Sequence, residues 1–248
     1  MSNKGDTEQQ AYLRDKLTKT GEELSSDRFV SRILGVLKPQ VKLLDIGCGT
    51  GHIISELATH HKDTFFVGLD ISLAMLKIMT TNVRKMSHII SIEGDGLQLP
   101  FADESFDIVI TRLAEYAPGE AYRVLKRGGH FFEYGLGPDA DREIQEFFSE
   151  RLEQENFFFP KDMAHWKAEV CQKIKDAGFV ITTINDFYER DYYQNEEDIM
   201  NLIEMVPLIK YFDREKDKKV IHEFAEKYRE AKGIKITWHY YITEARRL

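Results

Sequence analysis

The segment Leu43-Leu44-Asp45-Ile46-Gly47-Cys48-Gly49-Thr50-Gly51 constrains this chain more than any other. The run Val41–Ile46 is short and apolar, as expected for a buried parallel strand. After it, Gly51–His61 puts Ile53, Ile54, Leu57 and Ala58 on one helical face. Between the two, glycines at 47, 49 and 51 let the backbone turn sharply and let a ligand come close to it. Taken alone, the pattern also suits a dinucleotide enzyme, or a tight turn with no ligand.

The alternation continues downstream. Strands are expected at Thr64–Leu69, His88–Glu93, Phe106–Thr111 and Gly129–Tyr134, with helices at Leu73–Arg84 and Glu115–Leu125. Strands alternating with helices imply a parallel sheet covered on both faces. Ligands of such sheets bind beyond the carboxyl ends of the strands, which directs attention to the loops after 46, 69, 93 and 111. The second half is less regular. Helices are expected at Asp141–Gln154, Met163–Asp176, Glu196–Met205 and Glu215–Lys232, and strands at Gly178–Tyr188 and Gly233–Glu244. The helices within 194–232 have apolar faces and are expected to form a cap between the last two strands. Ahead of the sheet, residues 22–38 read as an amphipathic helix ended by Pro39, and residues 1–21 as a polar stretch, mobile or loosely docked. The whole is read as one α/β domain over 1–248, with an N-terminal helical segment (1–38) and the 194–232 insertion.

Three further features bear on the ligand. Asp70 ends the second strand, where a carboxylate can accept from both hydroxyls of a ribose; Ser72 is the better helix cap. Asp95-Gly96 follows the third strand, within reach of an adenine amino group. The segment Leu99-Pro100-Phe101 with Ser105-Phe106-Asp107 leads into the fourth.

With Gly68-Leu69-Asp70-Ile71-Ser72 and Arg123-Val124-Leu125-Lys126-Arg127-Gly128-Gly129, these segments agree in order and spacing with one family over residues 41–135. The chain resembles the class I S-adenosylmethionine-dependent methyltransferases, in particular the methyltransferase type 11 subgroup. The resemblance implies a Rossmann-like, doubly wound, seven-stranded sheet, mostly parallel with an antiparallel last strand, for which Gly233–Glu244 is the candidate. It implies S-adenosyl-L-methionine as cofactor. Asp45, Gly47, Cys48 and Gly49 would lie near its methionine part, Asp70 on the ribose, and Ile71 against the adenine. Asp95 and Gly96 would line the adenine pocket, with Thr111 and Arg112 near the sulfonium. No metal is expected. The chain departs from the family after the fourth strand. There Leu113–Glu120 is short and lacks the usual histidine, so substrate analogies do not carry over.

Methyl transfer asks the protein mainly for alignment; a general base is optional. Glu115 and Tyr116, just past the fourth strand, are the candidate catalytic residues. Glu133, Tyr134, His165, His239, Tyr240 and Tyr241 are further candidates for acceptor contacts, each with a packing alternative. Phe157-Phe158-Phe159-Pro160 and Tyr188–Tyr193 flank the expected cap and suit an apolar pocket or core. Cys48 reads as a small apolar spacer.

The net charge of −8 argues against a broad nucleic-acid surface. Two cysteines give no disulfide framework, the polar N-terminus lacks a secretion signal, and no apolar run spans a bilayer. The expected setting is the cytoplasm, and the expected partner a small molecule methylated on oxygen or nitrogen. Alternatives are an RNA or protein methyltransferase, and a non-catalytic S-adenosylmethionine-binding protein.

Overall fold

The computed structural model describes residues 7–20, 24–152, 163–205 and 209–248. The chain divides into two compact units. The first comprises Met1–Gly135, Lys167–Asn185 and Ile242–Leu248; the second comprises Leu136–Trp166 and Asp186–Tyr241. The second unit is therefore wider than the 194–232 insertion read from the sequence.

Unit 1 is built on the strands β1 (Lys42–Ile46), β2 (Phe65–Asp70), β3 (Ile89–Glu93), β4 (Phe106–Arg112) and β5 (Leu125–Leu136). It also holds the first part of β6 (Val180–Tyr193) and the last part of β8 (Gly233–Arg246). The strand order is β3-β2-β1-β4-β5-β8-β6. Strands β1 to β5 are parallel to their neighbours, and the sheet turns antiparallel at its end, as the alternation and the family resemblance predicted. The eighth strand is the two-residue β7 (Arg229–Glu230), which pairs with β8 and lies off the main path.

Several boundaries follow from local chemistry. The helix α3 (His52–His60) starts after Gly51, whose φ of 78° few other residues adopt. The helix α4 (Leu73–Asn82) is capped by Ser72, whose Oγ accepts the Met75 amide at 3.3 Å, as predicted. The helix α5 (Pro118–Val124) begins at a proline, three residues later than the helix expected at Glu115–Leu125. Leu125 already pairs with Phe106, so β5 starts before the expected Gly129. Met163–Asp176 is helix α7, as expected, and Gly178 at φ 102° turns the chain into β6.

The sheet's two faces are covered differently. Leu44, Ile46, Val109 and Phe131 pack with Tyr116, Ala121, Val124, Ile174 and Phe179, which come from the segment before α5, from α5 itself, and from α7 and the turn after it. Ahead of β1, helix α2 (Leu24–Leu34) buries Phe29, Val30 and Ile33. Phe29 meets the Tyr134 ring edge-on at 5.5 Å. The N-terminal stretch, read as mobile or loosely docked within a helical segment over 1–38, is helical over residues 8–20. They form helix α1 (Glu8–Thr20), which buries Ala11. The α1 residue Asp15 accepts from Asn82 of α4 at 3.1 Å.

Unit 2 holds α6 (Arg142–Phe147), the short 3-10 turn Ser149–Arg151, α8 (Glu196–Met205), α9 (Lys218–Tyr228) and the remainder of β6 and β8. Of the helix expected at Asp141–Gln154, only Arg142–Arg151 is helical; residues 153 and 154 lie outside the described residues, as do Phe157-Phe158-Phe159-Pro160. The two expected cap helices are present, the second shortened because Arg229–Glu230 joins β8 as a strand. Phe147, Phe148 and Phe224 pack as an aromatic cluster, and Arg151 clamps Asp217 through two bonds of 2.8 and 2.9 Å.

Candidate functional site

The glycine loop lies where the sheet topology places a ligand, at the carboxyl end of β1. The amides of Gly47 and Cys48 both donate to the Leu69 carbonyl, at 2.7 and 3.0 Å. Each loop glycine has a positive φ: 73° at Gly47, 54° at Gly49 and 78° at Gly51. The reasons for glycine differ. A Cβ on Gly47 would overlap that of Ala114, and one on Gly51 would press on Met79. Among the described residues, a Cβ on Gly49 would meet nothing within 4 Å. Packing therefore excludes side chains at 47 and 51, whereas Gly49 turns bare backbone toward open space.

Asp70 ties this loop to the end of β2. One carboxylate oxygen accepts the Gly49 amide at 2.8 Å, and the other accepts the Ser72 amide at 2.8 Å. Ile71, next to it, is an exposed apolar side chain. Asp45 is buried, and burial, reinforced by the Asp70 charge, pushes its carboxyl up to about 8, while Arg112 works in the opposite direction. Cys48 sits under the loop with Sγ 3.4 Å from Met79 Sδ, and burial raises its thiol well above the usual range. This placement is that of an apolar spacer.

The third segment is Asp95-Gly96. Asp95 is exposed and accepts the Leu97 amide at 2.8 Å, a short turn that presents the loop. Gly96 is buried, and a Cβ there would come within 2.5 Å of the Glu115 carbonyl oxygen. The Gly96 carbonyl in turn accepts the Ala117 amide at 3.1 Å.

The short stretch after β4 is thus seated on both glycine segments. Leu113 has φ 54°, an uncommon value for a branched residue, and its amide donates to Tyr134. Ala114 fills the space beside Gly47, Glu115 places its carbonyl at Gly96, and the Glu115 side chain is exposed. Tyr116 turns inward. It is only 6% exposed, and its ring packs 5.7 Å from that of Phe131. The two candidate catalytic residues are neighbours in sequence with opposite environments.

Strand alternation divides the remaining candidates. Arg112 and Tyr134 are register partners, with the Arg112 guanidinium 5.2 Å from the Tyr134 ring centre. Thr111 and Glu133 are register partners too, one residue earlier, and both are buried. The candidates in unit 2 form their own group. His239 is buried, with its ring stacked on Tyr188 at 4.4 Å and set 5.2 Å from Trp166, and burial lowers its pKa. Tyr240 and Tyr241 are buried and His165 is exposed.

Sequence reasoning missed Ala114 as the group that locks the loop onto Gly47. It also missed Lys173, whose ammonium lies 3.5 Å from a Glu133 oxygen. A small residue facing a glycine across 67 positions leaves no local signal.

S-adenosylmethionine carries a cationic sulfonium and ammonium at one end and an adenosine at the other. The site suits it. Bare backbone at Gly49, the acidic groups Asp45 and Asp70, and Arg112 near Asp45 provide for close approach, positive charge and a carboxylate.

Comparison with known proteins agrees. Residues 43–129 match a methyltransferase domain model. A malonyl-[acyl-carrier protein] O-methyltransferase of Coxiella burnetii is 29% identical over 50% of this chain and 44% of its own length. A demethylmenaquinone methyltransferase of Staphylococcus aureus is 29% identical over 64% of this chain and 75% of its own. The chain spans about half the length of the first curated relatives it matches, at 44%, 61% and 45%. A geranyl diphosphate methyltransferase solved with S-adenosylmethionine shares the fold at a TM-score of 0.56 and 16% identity, over 100% of this chain and 93% of that one. By motif, topology and relatives, the chain carries a methyltransferase domain over residues 43–129 and is similar to the class I S-adenosylmethionine-dependent methyltransferases.

Proposed function

We propose that the protein transfers a methyl group to an oxygen or nitrogen of a small-molecule acceptor by in-line displacement. The observation that carries this is Gly49: a backbone turn held open at φ 54°, its amide fixed by Asp70, with nothing among the described residues within 4 Å of a Cβ position. Bound S-adenosylmethionine supplies an electrophilic methyl group, and the chain supplies orientation and electrostatics.

In this reading Asp70 has two tasks. A carboxylate offers about four acceptor sites, so Asp70 holds the Gly49 amide and also the ribose hydroxyls. Ile71 and Gly96 border the adenine, with Asp95 on its amino group. Asp45 and the backbone of Gly47–Gly49 hold the methionine end, where Asp45 ionises against the cofactor's positive charge. Glu115, exposed on the seated loop, contacts the acceptor, and Tyr116 fixes the loop from below. The relatives named above act on chemically different acceptors, which is why the acceptor is taken only as a small molecule. Among the described residues no helix is long and apolar enough to cross a membrane, and both cysteines are unpaired with each other. We place the protein in the cytoplasm on that basis.

Titration calorimetry with S-adenosylmethionine tests the first step; an absence of binding refutes the proposal. Incubation with cofactor labelled in its methyl group, followed by size fractionation of an extract, tests the second. Label is expected in the small-molecule fraction. Label confined to RNA or protein would refute the acceptor class, and binding without any label transfer would point to a non-catalytic protein.

A further inference from the structure

Two buried polar atoms near the carboxyl ends of β4 and β5 lack hydrogen-bond partners among the described residues. Thr111 and Glu133 are directly paired in register, so their side chains project from the same face of the sheet. Thr111 is 1% exposed and Glu133 4%. Among the described residues, neither Thr111 Oγ1 nor Glu133 Oε2, both buried, has a hydrogen-bond partner. Buried polar groups are almost always bonded, and an unbonded carboxylate oxygen is costly. Two such atoms on adjacent positions need an explanation.

Their surroundings are specific. The other Glu133 oxygen lies 3.5 Å from Lys173 Nζ, and that ammonium lies 4.4 Å from the centre of the Tyr116 ring. Lys173 is 47% exposed at its side chain, so it forms the outer wall of the group. Below lie the packed rings of Tyr116 and Phe131, an apolar floor. Thr111 is also paired in register with Ile46, immediately before the glycine loop. The group therefore sits beside the cofactor loop, on the sheet face opposite Arg112 and Tyr134.

We propose that Thr111 and Glu133, with Lys173 as counter-ion, form a subsite for the hydroxyl of the methyl acceptor, which makes the acceptor an alcohol or phenol with an apolar body. A hydroxyl both donates and accepts. It donates to Glu133 Oε2 and accepts from Thr111 Oγ1, so one ligand group satisfies both buried atoms. A cationic amine would meet the Lys173 ammonium and is disfavoured. The proposal rests on the methyl-transfer reading above and deepens it, because the family resemblance sets Thr111 near the reacting end of the cofactor.

The test uses full-length protein saturated with S-adenosylhomocysteine, which prevents turnover. The probes are phenol, benzyl alcohol and cyclohexanol, each against its methyl ether, with binding read by ligand-observed NMR titration. At least one alcohol is expected to bind on the order of tenfold more tightly than its ether, a difference of about 1.4 kcal/mol. Glu133→Gln should abolish that preference while leaving S-adenosylhomocysteine affinity within about twofold, a change below about 0.5 kcal/mol. If Glu133→Gln does not fold, Thr111→Val, close in shape, is expected to give the same loss. The proposal is overturned if no alcohol binds, if alcohol and ether bind alike, or if the folded variant keeps the preference. It is also overturned if Glu133→Gln weakens cofactor binding instead, because the pair then belongs to the cofactor. In that case the methyl-transfer reading survives, and only a wild-type protein that binds no cofactor would remove it.

Discussion

Gly49→Ala separates a glycine kept for a ligand from one kept for packing. At φ 54° an alanine pays only left-handed strain, about 1–2 kcal/mol, because no atom of the described residues lies within 4 Å of the new methyl group. For a domain of this size that corresponds to a fall in Tm of about 2–8 °C. The same methyl group projects into the space through which a ligand must approach the backbone. Cofactor affinity should therefore fall on the order of 100-fold, about 2.7 kcal/mol. Gly47→Ala is the control. It carries the same strain at φ 73°, and overlap with Ala114 adds about 1–3 kcal/mol of overpacking. The assay is thermal unfolding with and without S-adenosylmethionine, backed by calorimetry. Cofactor at 100 times its Kd stabilises the wild type by about 2.7 kcal/mol. Gly49→Ala should melt near the wild type and gain almost nothing from cofactor, whereas Gly47→Ala should lose more stability at the outset. If Gly49→Ala binds cofactor within threefold of the wild type, about 0.65 kcal/mol, the assignment of open space at Gly49 to the ligand is wrong.

Other perturbations test the neighbouring contacts. Asp70→Ala leaves the Gly49 and Ser72 amides without their acceptor, so stability should drop by about 1–3 kcal/mol together with a marked loss of cofactor affinity; unchanged affinity in calorimetry refutes the ribose assignment. Asp45 is raised from 3.8 to about 8 in the folded protein, so its contribution to stability is complete below about pH 4 and is lost as pH rises through 8. The buried Asp141, raised to about 7 by burial and the Glu143 charge, acts in the same direction. Melting of the cofactor-free protein over that range should therefore show a decline that Asp45→Asn reduces. A cationic cofactor favours ionised Asp45, so binding near pH 7 should release a proton; calorimetry in two buffers of different ionisation enthalpy that shows no release contradicts this. Gly96→Ala puts a methyl group 2.5 Å from the Glu115 carbonyl, so it should displace the 113–117 segment and cost about 1–3 kcal/mol; an unshifted Tm would show that the segment yields freely.

The parts of the fold that were legible in the sequence are those written in local chemistry. The buried strand β1, the glycine loop and the Ser72 cap depend on residues within a few positions of one another, and they appear where expected. The start of α5 was also signalled by Pro118, but the apolar pattern of Glu115–Leu125 concealed it. Tyr116 satisfied that pattern by packing into the core from a non-helical segment. The docking of the N-terminal helix was illegible for another reason. Glu8–Thr20 is mostly polar, and its docking depends on Ala11 and on the Asp15–Asn82 bond, a contact made across 67 residues. The chain passes between the two units near the end of β5, inside α7 and within the long strands β6 and β8, and the continuous helical or β pattern at each gives no sign of it.

The departure from the family after β4 has a physical reason in this chain. Only five residues, 113–117, connect Arg112 at the end of β4 to Pro118 at the start of α5. A connection that short must turn at once, which the positive φ of Leu113 achieves, and must then run close to the cofactor loops. It can do so because Gly47 and Gly96 have no side chains to obstruct Ala114 and the Glu115 carbonyl. The two glycines thus serve the connection as much as the cofactor. Of the three positions that a motif comparison weighs together, Gly49 alone faces open space, while Gly47 and Gly96 hold in place the segment that presents Glu115. Under the proposed function, cofactor recognition and acceptor choice consequently share a support. A longer connection, with its own helix, would not need Ala114 against Gly47, and a residue such as Glu115 would not be held beside the loop. The shortness that removes the family's usual histidine is what seats the Glu115 backbone against Gly96.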